Sequence, residues 1–348
     1  MDNWSVISLL AILADDLTGA LDASAPFAAK GMHVEVAVTV QAIGEALQAR
    51  PAVLAINLGS RELDVAVARD RTTAALGALP PATRLFKKID SRLKGHIAAE
   101  LDVMPFKSAL VAPAIPSFGR IVQNGEVQGF GITSPISIRE CLGRHMERAT
   151  VPDTLVQDDL CEWVVRSDAA GFDLLVGARG LAEALADTMT DRASARLAEL
   201  PRGRALFVVG SHDPITIVQV EELRGAFDVD YLAATNGKVL ETRPINFMIT
   251  VVQAVQGEFP ADPLQVSRAL AKAVVPMVSK TVSTLLLTGG ATAEAVMEEM
   301  GINRFRLAGE CLPGLGLAHA QGLCIITKSG GFGAPDTFVR IAARICDR

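Results

Sequence analysis

The hydrophobic pattern opens on a run, Ile7 to Ala14, in which every residue but Ser8 is apolar. So short a run cannot cross a membrane, and it suits a strand buried on both faces. Two carboxylates, Asp15 and Asp16, follow where that strand should end, and an Ala-rich helix is expected from about Ala20, closing at Gly31. The alternation in His33 to Val40 reads as a strand, Ala42 to Ala49 as a helix and Ala52 to Leu58 as a second buried strand. Leu63 to Leu79 carries apolar residues at helical spacing, with Asp64, Arg69, Asp70 and Arg71 on the wet face. This rhythm predicts an α/β fold, a mostly parallel sheet flanked by helices.

Further strands are expected at Arg84 to Ile89 and Ala109 to Pro113. Asn124-Gly125, between short alternating segments in Gly119 to Gly131, predicts a hairpin with a type I′ turn. From Ser134 to about Asp168 the pattern fades, with one helix read near Ile138 to Glu147. Phe172 to Gly177 reads as a strand and Gly180 to Leu200 as a helix, and Pro201-Arg202-Gly203 marks a boundary. The second half restarts the rhythm, with strands at Ala205 to Val209, Val229 to Ala234, Asn246 to Val252, Thr284 to Leu287 and Gly322 to Thr327. Helices are expected at Thr216 to Phe227, Pro263 to Val278, after Thr288 to Met300, and at the end of the chain. Pro313 to Gly322 reads as a loop and helix start. Two α/β domains follow, residues 1–202 and 203–348.

Composition narrows the class. Lys plus Arg is 33 against 39 Asp plus Glu, a net charge of −6 that gives no reason to expect nucleic acid. The five cysteines are scattered, without a C-x-x-C pair, which argues against a disulfide framework or zinc site and for reduced thiols in the cytoplasm. MDNWS has no basic n-region, so neither a signal peptide nor a membrane anchor is expected. The sequence does not fix an oligomeric state.

Candidate chemistry gathers at strand ends. Ligands of open α/β sheets sit outside the carboxyl ends of strands, where Asp15 and Asp16 arrive; the plainer alternative is that one of them N-caps the next helix. KKIDSRLKGH brings Lys87, Lys88, Arg92 and Lys94 together with Asp90 and Ser91. Cations there suit an anionic substrate, and the acidic and hydroxyl groups suit its hydroxyls, the pattern for a polyhydroxy acid. In the second half, VVGSHDPIT, LLLTGGATAEA and IITKSGGFG each run from a strand through Gly or Ser into a helix start. Glycine turns and free helix N–H groups hold phosphate well, so the three turns together read as a nucleotide-phosphate site. A P-loop and a G-x-G-x-x-G fingerprint are both absent from the sequence. No histidine has a partner at metal-ligand spacing.

Six ordered blocks, ADDLTGA, KKIDSRLKGH, APAIPSFGRIVQNG, GSHDPIT, TGGATAEAV and KSGGFG, resemble the four-carbon acid sugar kinase family, whose members phosphorylate threonate, erythronate or oxo-tetronate with ATP. The resemblance implies an acid-sugar-binding N-terminal domain and a nucleotide-binding C-terminal domain, with ATP and Mg²⁺ as cofactors. It implies Asp16, or its neighbour Asp15, as catalytic base and Asp15, Lys88, Asp90, Ser91, Arg92 and Lys94 as substrate contacts. Ser211, Gly289, Gly290, Ala291, Thr292, Gly330 and Gly333 fall to ATP; no protein-held metal ligand is implied. The chain departs from the family pattern at Arg92, where Thr is usual, at Lys94 and His96, at His212-Asp213, and at Ala291, where an acid is usual. It is also shorter than typical members. These departures imply either altered substrate choice or, as the alternative, a non-catalytic sensor of a sugar acid or nucleotide.

Overall fold

The computed structural model describes residues 9–167, 169–190, 197–240 and 244–346, and the chain forms two compact units, Met1–Arg196 and Leu197–Arg348. The boundary expected at Pro201 to Gly203 lies a few residues further along. Ile7 and Ser8 of the opening run fall outside the described residues.

The first unit alternates β1 (Leu10–Ala14), α1 (Leu17–Ala29), β2 (Val34–Ala37), α2 (Ile43–Gln48), β3 (Val53–Asn57), α3 (Val65–Ala78), β4 (Arg84–Lys88), α4 (Ile97–Leu101) and β5 (Ala109–Ala112). A three-stranded antiparallel patch follows: β6 (Arg120–Gln123), β7 (Glu126–Gly129) and β8 (Ile136–Ser137). Its first turn has positive φ at both Asn124 and Gly125, as a type I′ hairpin requires. Then come α5 (Ile138–Leu142), β9 (Ala149–Thr150), α6 (Gln157–Ser167), β10 (Leu174–Gly177) and α7 (Arg179–Thr188). The main sheet of this unit runs β2-β3-β1-β4-β10-β5-β9 and is parallel throughout.

Position in the sheet explains the composition of β1. It lies between β3 and β4 and is buried on both faces, so an unbroken apolar run is what such a strand needs. Its odd residues, Ala11 and Leu13, pack with Leu54, Ile56, Ile43 and Ala75. From β1 the chain winds outward to β2 and returns by β3, then crosses to β4 on the other side. The winding therefore reverses between β1 and β4, and the crevice outside their carboxyl ends is where such a sheet takes a ligand.

The second unit comprises β11 (Arg204–Val209), α8 (Pro214–Ala226), β12 (Asp230–Thr235), β13 (Ile249–Val255), α9 (Pro263–Val274), β14 (Val282–Thr288) and α10 (Gly290–Glu299). It ends in β15 (Arg304–Leu312), β16 (Leu315–Ala320), β17 (Leu323–Lys328) and α11 (Thr337–Cys346). The order β12-β13-β11-β14-β17-β16-β15 again reverses its winding, between β11 and β14. Phe338, Ile341, Ala342 and Ile345 recur every three to four residues on α11, and they close the core over Phe207, Leu286 and Ile326. Phe207 and Phe338 meet edge to face, centroids 5.5 Å apart at 74°.

Three expectations are corrected. Pro313 to Gly322 is the hairpin turn between β15 and β16 together with β16 itself, which runs antiparallel to both β15 and β17, and not a helix start. The helix expected over Gly180 to Leu200 stops at Thr188; residues 191–196 lie outside the described residues, and 197–200 are not helical. The helix read at Ile138 to Glu147 is one α-turn, α5, followed by a 3₁₀ segment from Gly143 to Arg148.

Candidate functional site

In the first unit, Ala14 pairs with Asn57 on one side and Lys88 on the other, so the residues just beyond all three emerge from one sheet edge. Asp16 N-caps α1: its Oδ1 accepts from Gly19 N at 2.8 Å, and Thr18 Oγ1 donates to Oδ2 at 2.7 Å. The plain capping role thus falls on the residue also expected at the site. Asp15 accepts a two-pronged contact from Arg61, Nε to Oδ2 at 2.9 Å and Nη2 to Oδ1 at 2.8 Å, while Arg61 Nη1 donates to Asp16 Oδ2 at 2.7 Å. Asp90 lies 3.8 Å from the same guanidinium. Two glycines make the crowding tolerable. A Cβ at Gly19 would lie 2.5 Å from Asp16 Oδ1 and 3.2 Å from Lys88 Nζ, and one at Gly95, where φ is +91°, would lie 2.5 Å from Asp15 Oδ2.

The two lysines that close β4 part company, as alternation along a strand dictates. Lys87 is fully buried and pairs with Glu100 at 2.7 Å, whose other oxygen accepts from Ser60 at 2.6 Å. Lys88 turns toward Gly19 and Asp16, and donates to Ile89 O at 3.1 Å. The carboxylates respond unequally. Burial raises Asp15, but the Arg61 fork and the nearby Lys87 and Lys88 outweigh it and hold the group below its ordinary value. Asp16 is pushed up, by burial first and then by the negative charge of Asp15, against the pull of Arg61. Environments that push two neighbouring acids apart in basicity let one take up a proton while the other stays ionised.

Asp90 Oδ1 accepts from Arg92 N at 2.8 Å and shapes the turn. Ser91 Oγ accepts from Arg120 Nη1 at 2.5 Å. Arg92 extends toward Gly131, and Lys94 is exposed. Two residues that the sequence reading passed over belong here: Arg61, in the loop after β3, and Arg120, at the start of β6. The Gly59-Ser60 turn at a neighbouring strand end was the available sign for Arg61. A cation inside the FGR segment was the sign for Arg120.

In the second unit Val209, Thr288 and Lys328 are level in adjacent strands, so the three glycine turns begin side by side. They interlock. A Cβ at Gly330 would lie 2.2 Å from Ser211 Oγ, and one at Gly289, where φ is +90°, 3.6 Å from Ser211 N. Thr216 Oγ1 donates to Gly330 O at 2.6 Å, and Gly289 N donates to Lys328 O at 3.0 Å. Gly290, Ala291 and Thr292 form the first turn of α10, whose N-cap Gly289 offers no side-chain cap. First-turn N–H groups of that kind suit phosphate oxygens. Asp213 caps α8, accepting from Ile215 N at 3.1 Å, and a Cβ at Gly331 would lie 3.0 Å from its Oδ2. Gly333 packs against Thr337 at the head of α11. Lys328, almost wholly buried, gives its three donors to Thr216 Oγ1 (3.0 Å), Ser329 O (2.9 Å) and Gly330 O (2.8 Å). Burial lowers it to about 7, against the opposing charge of Asp213. Among the described residues no group of three or more His, Cys, Asp or Glu is placed to hold a metal. Nor is any helix there long and apolar enough to cross a membrane.

A unit with acids and bases at its switch point, followed by one with glycine turns at its own, defines a two-part small-molecule-binding protein, and the comparisons agree. A family model described as a sugar-binding N-terminal domain matches residues 10–137, and one described as a nucleotide-binding C-terminal domain matches residues 206–338. The D-threonate kinase of Bordetella bronchiseptica is 27% identical over 404 aligned positions, covering 97% of this chain and 98% of that protein. The 3-oxo-tetronate kinase of Methylobacterium radiotolerans is 26% identical, over 95% and 98%. The crystal structure of Haemophilus influenzae protein HI1011 superposes with a TM-score of 0.69 at 20% identity, covering 97% of this chain and all of that one. The chain belongs to the four-carbon acid sugar kinase family. The 404 aligned positions exceed its 348 residues, so the Bordetella relative carries internal residues that this chain lacks.

Proposed function

We propose that this protein is a cytoplasmic ATP-dependent kinase that phosphorylates a hydroxyl of a four-carbon sugar acid such as threonate, erythronate or oxo-tetronate. The carrying observation is Asp16, a carboxylate of raised basicity fixed by Thr18, Gly19 N and Arg61 at the switch point of the first unit. The names of the relatives support a sugar acid as acceptor, and the nucleotide-binding domain match supports a phosphoryl donor.

Phosphoryl transfer asks mainly for positioning and neutralised charge. Asp16 accepts the proton of the attacking hydroxyl at an Oδ atom. Arg61, anchored by Asp15, keeps that carboxylate in place, and Lys88 offsets its charge. Asp90, Ser91, Arg92 and Lys94 orient the acid.

The second unit suits a triphosphate: the uncapped first turn of α10 offers Gly290, Ala291 and Thr292 N–H, and Ser211, Gly330 and Gly333 keep the adjoining turns close. When bound, Mg-ATP supplies the phosphoryl group and the cation that neutralises it. Without a carboxylate cluster among the described residues, the metal fits as one carried chiefly by the phosphates, with Asp213 as an acid that adjoins the turn at Gly331. Purified protein with Mg-ATP should release ADP only when threonate, erythronate or a related acid is added. ADP release with none of them would overturn the proposal.

A further inference from the structure

Around the sheet edge of the first unit most charges are matched. Asp15 and Asp16 face Arg61 and Lys88, and Glu100 faces Lys87. Arg92 and Arg120 are the exception. A Cβ at Gly131 would lie 2.7 Å from Arg92 Nη2 and 3.2 Å from Arg120 Nη2, so both guanidinium groups converge on that one glycine. Gly131 has φ +73°, which fixes it as glycine on backbone grounds as well.

Neither arginine forms an ion pair within the usual 4.0 Å among the described residues. Asp90, the acid whose charge reaches Arg120, is committed to Arg92 N and to Arg61. Arg120 is more than nine-tenths buried. Its Nε and Nη2 donate to Phe130 O and its Nη1 to Ser91 Oγ, all neutral acceptors. A guanidinium has five N–H donors, so one on Nη1 and one on Nη2 are left over. Burial and the adjacent Arg92 both pull Arg120 below its ordinary basicity, the mark of like charges held together. Arg92 spends none of its side-chain donors on the described residues. Two cations brought together over a glycine, with donors to spare and no acid of their own, are complementary to a ligand oxyanion.

We propose that Arg92 and Arg120, with the Ser91 hydroxyl and the space left by Gly131, form an oxyanion clamp that holds the acid group of the substrate. The clamp takes the charged end, while Asp16 and Lys88 serve a hydroxyl. It rests on the sugar-acid reading for its ligand but not on phosphoryl transfer. A carboxylate and a phosphate share the required chemistry, and both arms belong in the test.

Calorimetry on the full chain, without nucleotide and at fixed ionic strength, compares threonate, glycerol 3-phosphate and uncharged threitol. The better of the two anions should bind about tenfold or more tightly than threitol, the gain of one charge-assisted contact. Arg92→Gln should remove most of that ratio while changing threitol binding by less than about twofold, and Arg92→Lys should restore part of it. The Arg92 side chain has no hydrogen bond to lose among the described residues, so its variants keep the fold; unchanged thermal melting verifies this. Gly131→Ala, which intrudes on both guanidinium groups, should give the same loss. Tighter binding of glycerol 3-phosphate than of threonate supports the clamp and assigns it a phosphate. Anions that bind no better than threitol, or a ratio that survives Arg92→Gln, would overturn it. Because no ATP is present, failure here is distinct from failure of the kinase reaction, which is read by ADP release.

Discussion

Arg61 meets Asp15 through two near-parallel hydrogen bonds, at 2.9 and 2.8 Å, and spends its remaining Nη1 on Asp16 at 2.7 Å. The three residues come from the ends of neighbouring strands, so the pairing locks the β1 and β3 edges at the switch point. Without it, two adjacent carboxylates would share a poorly solvated corner. Arg61→Ala should therefore lower stability by about 3–5 kcal/mol, the usual cost of orphaning a buried ion-pair partner. Arg61→Lys, which keeps the charge but loses the fork, should fall in between. Urea unfolding measures both; an alanine variant as stable as the parent would contradict the pairing's role.

Asp16 carries the proposed proton transfer. Asp16→Asn should lower kcat by about a hundred- to ten-thousandfold, the usual weight of a general base. Nucleotide affinity, set in the other unit, should be unchanged. Because burial and Asp15 raise Asp16, the parent's kcat/KM should climb as pH rises through a value above the ordinary carboxylate range. The asparagine variant should lack that limb.

Lys87 and Glu100 form a fully buried ion pair, 2.7 Å long, completed by Ser60. Glu100→Gln should cost about 3–5 kcal/mol by leaving the Lys87 charge uncompensated. The double variant Lys87→Met, Glu100→Leu should recover most of that loss, since a well-packed apolar pair replaces a buried ionic one at little cost. Guanidinium unfolding of both variants beside the parent checks this.

Lys328 predicts a pH dependence. Its folded value, about 7, lies below the 10.5 of an unfolded lysine. Between those values the unfolded chain holds the extra proton, so this residue makes stability rise with pH, by up to about 1.4 kcal/mol per unit. Below about 7 the slope vanishes, because both states are protonated. Lys328→Met should remove the slope, and unfolding midpoints at pH 6, 7.5 and 9 would reveal it. The same change takes a donor away from Thr216 Oγ1 and from the Ser329 and Gly330 carbonyls, so it should also weaken nucleotide binding.

Much of this architecture was legible in the sequence because β1, β3, β11, β14 and β17 are buried on both faces and so appear as short apolar runs. The first hairpin was legible because Asn124-Gly125 has the chemistry of its turn. The stretch after it was not: β8 and β9 are two residues each, and α5 is one short turn. The helix start expected in Pro313 to Gly322 failed because Gly314 marks a turn without saying whether a helix or a strand follows it. Asp16, Lys88 and the three glycine turns announced themselves by lying next to strand ends. Arg61 and Arg120 did not, because each acquires meaning only through partners far away in sequence, Asp15 and Ser91.

The most direct measurement is ³¹P NMR of the protein with Mg-ATP and threonate, erythronate or oxo-tetronate, run beside Asp16→Asn. The account predicts a new phosphomonoester resonance growing as ADP appears, and its loss in the variant while ATP still binds. ATP bound without monoester from any of these acids, or a variant as active as its parent, would contradict it.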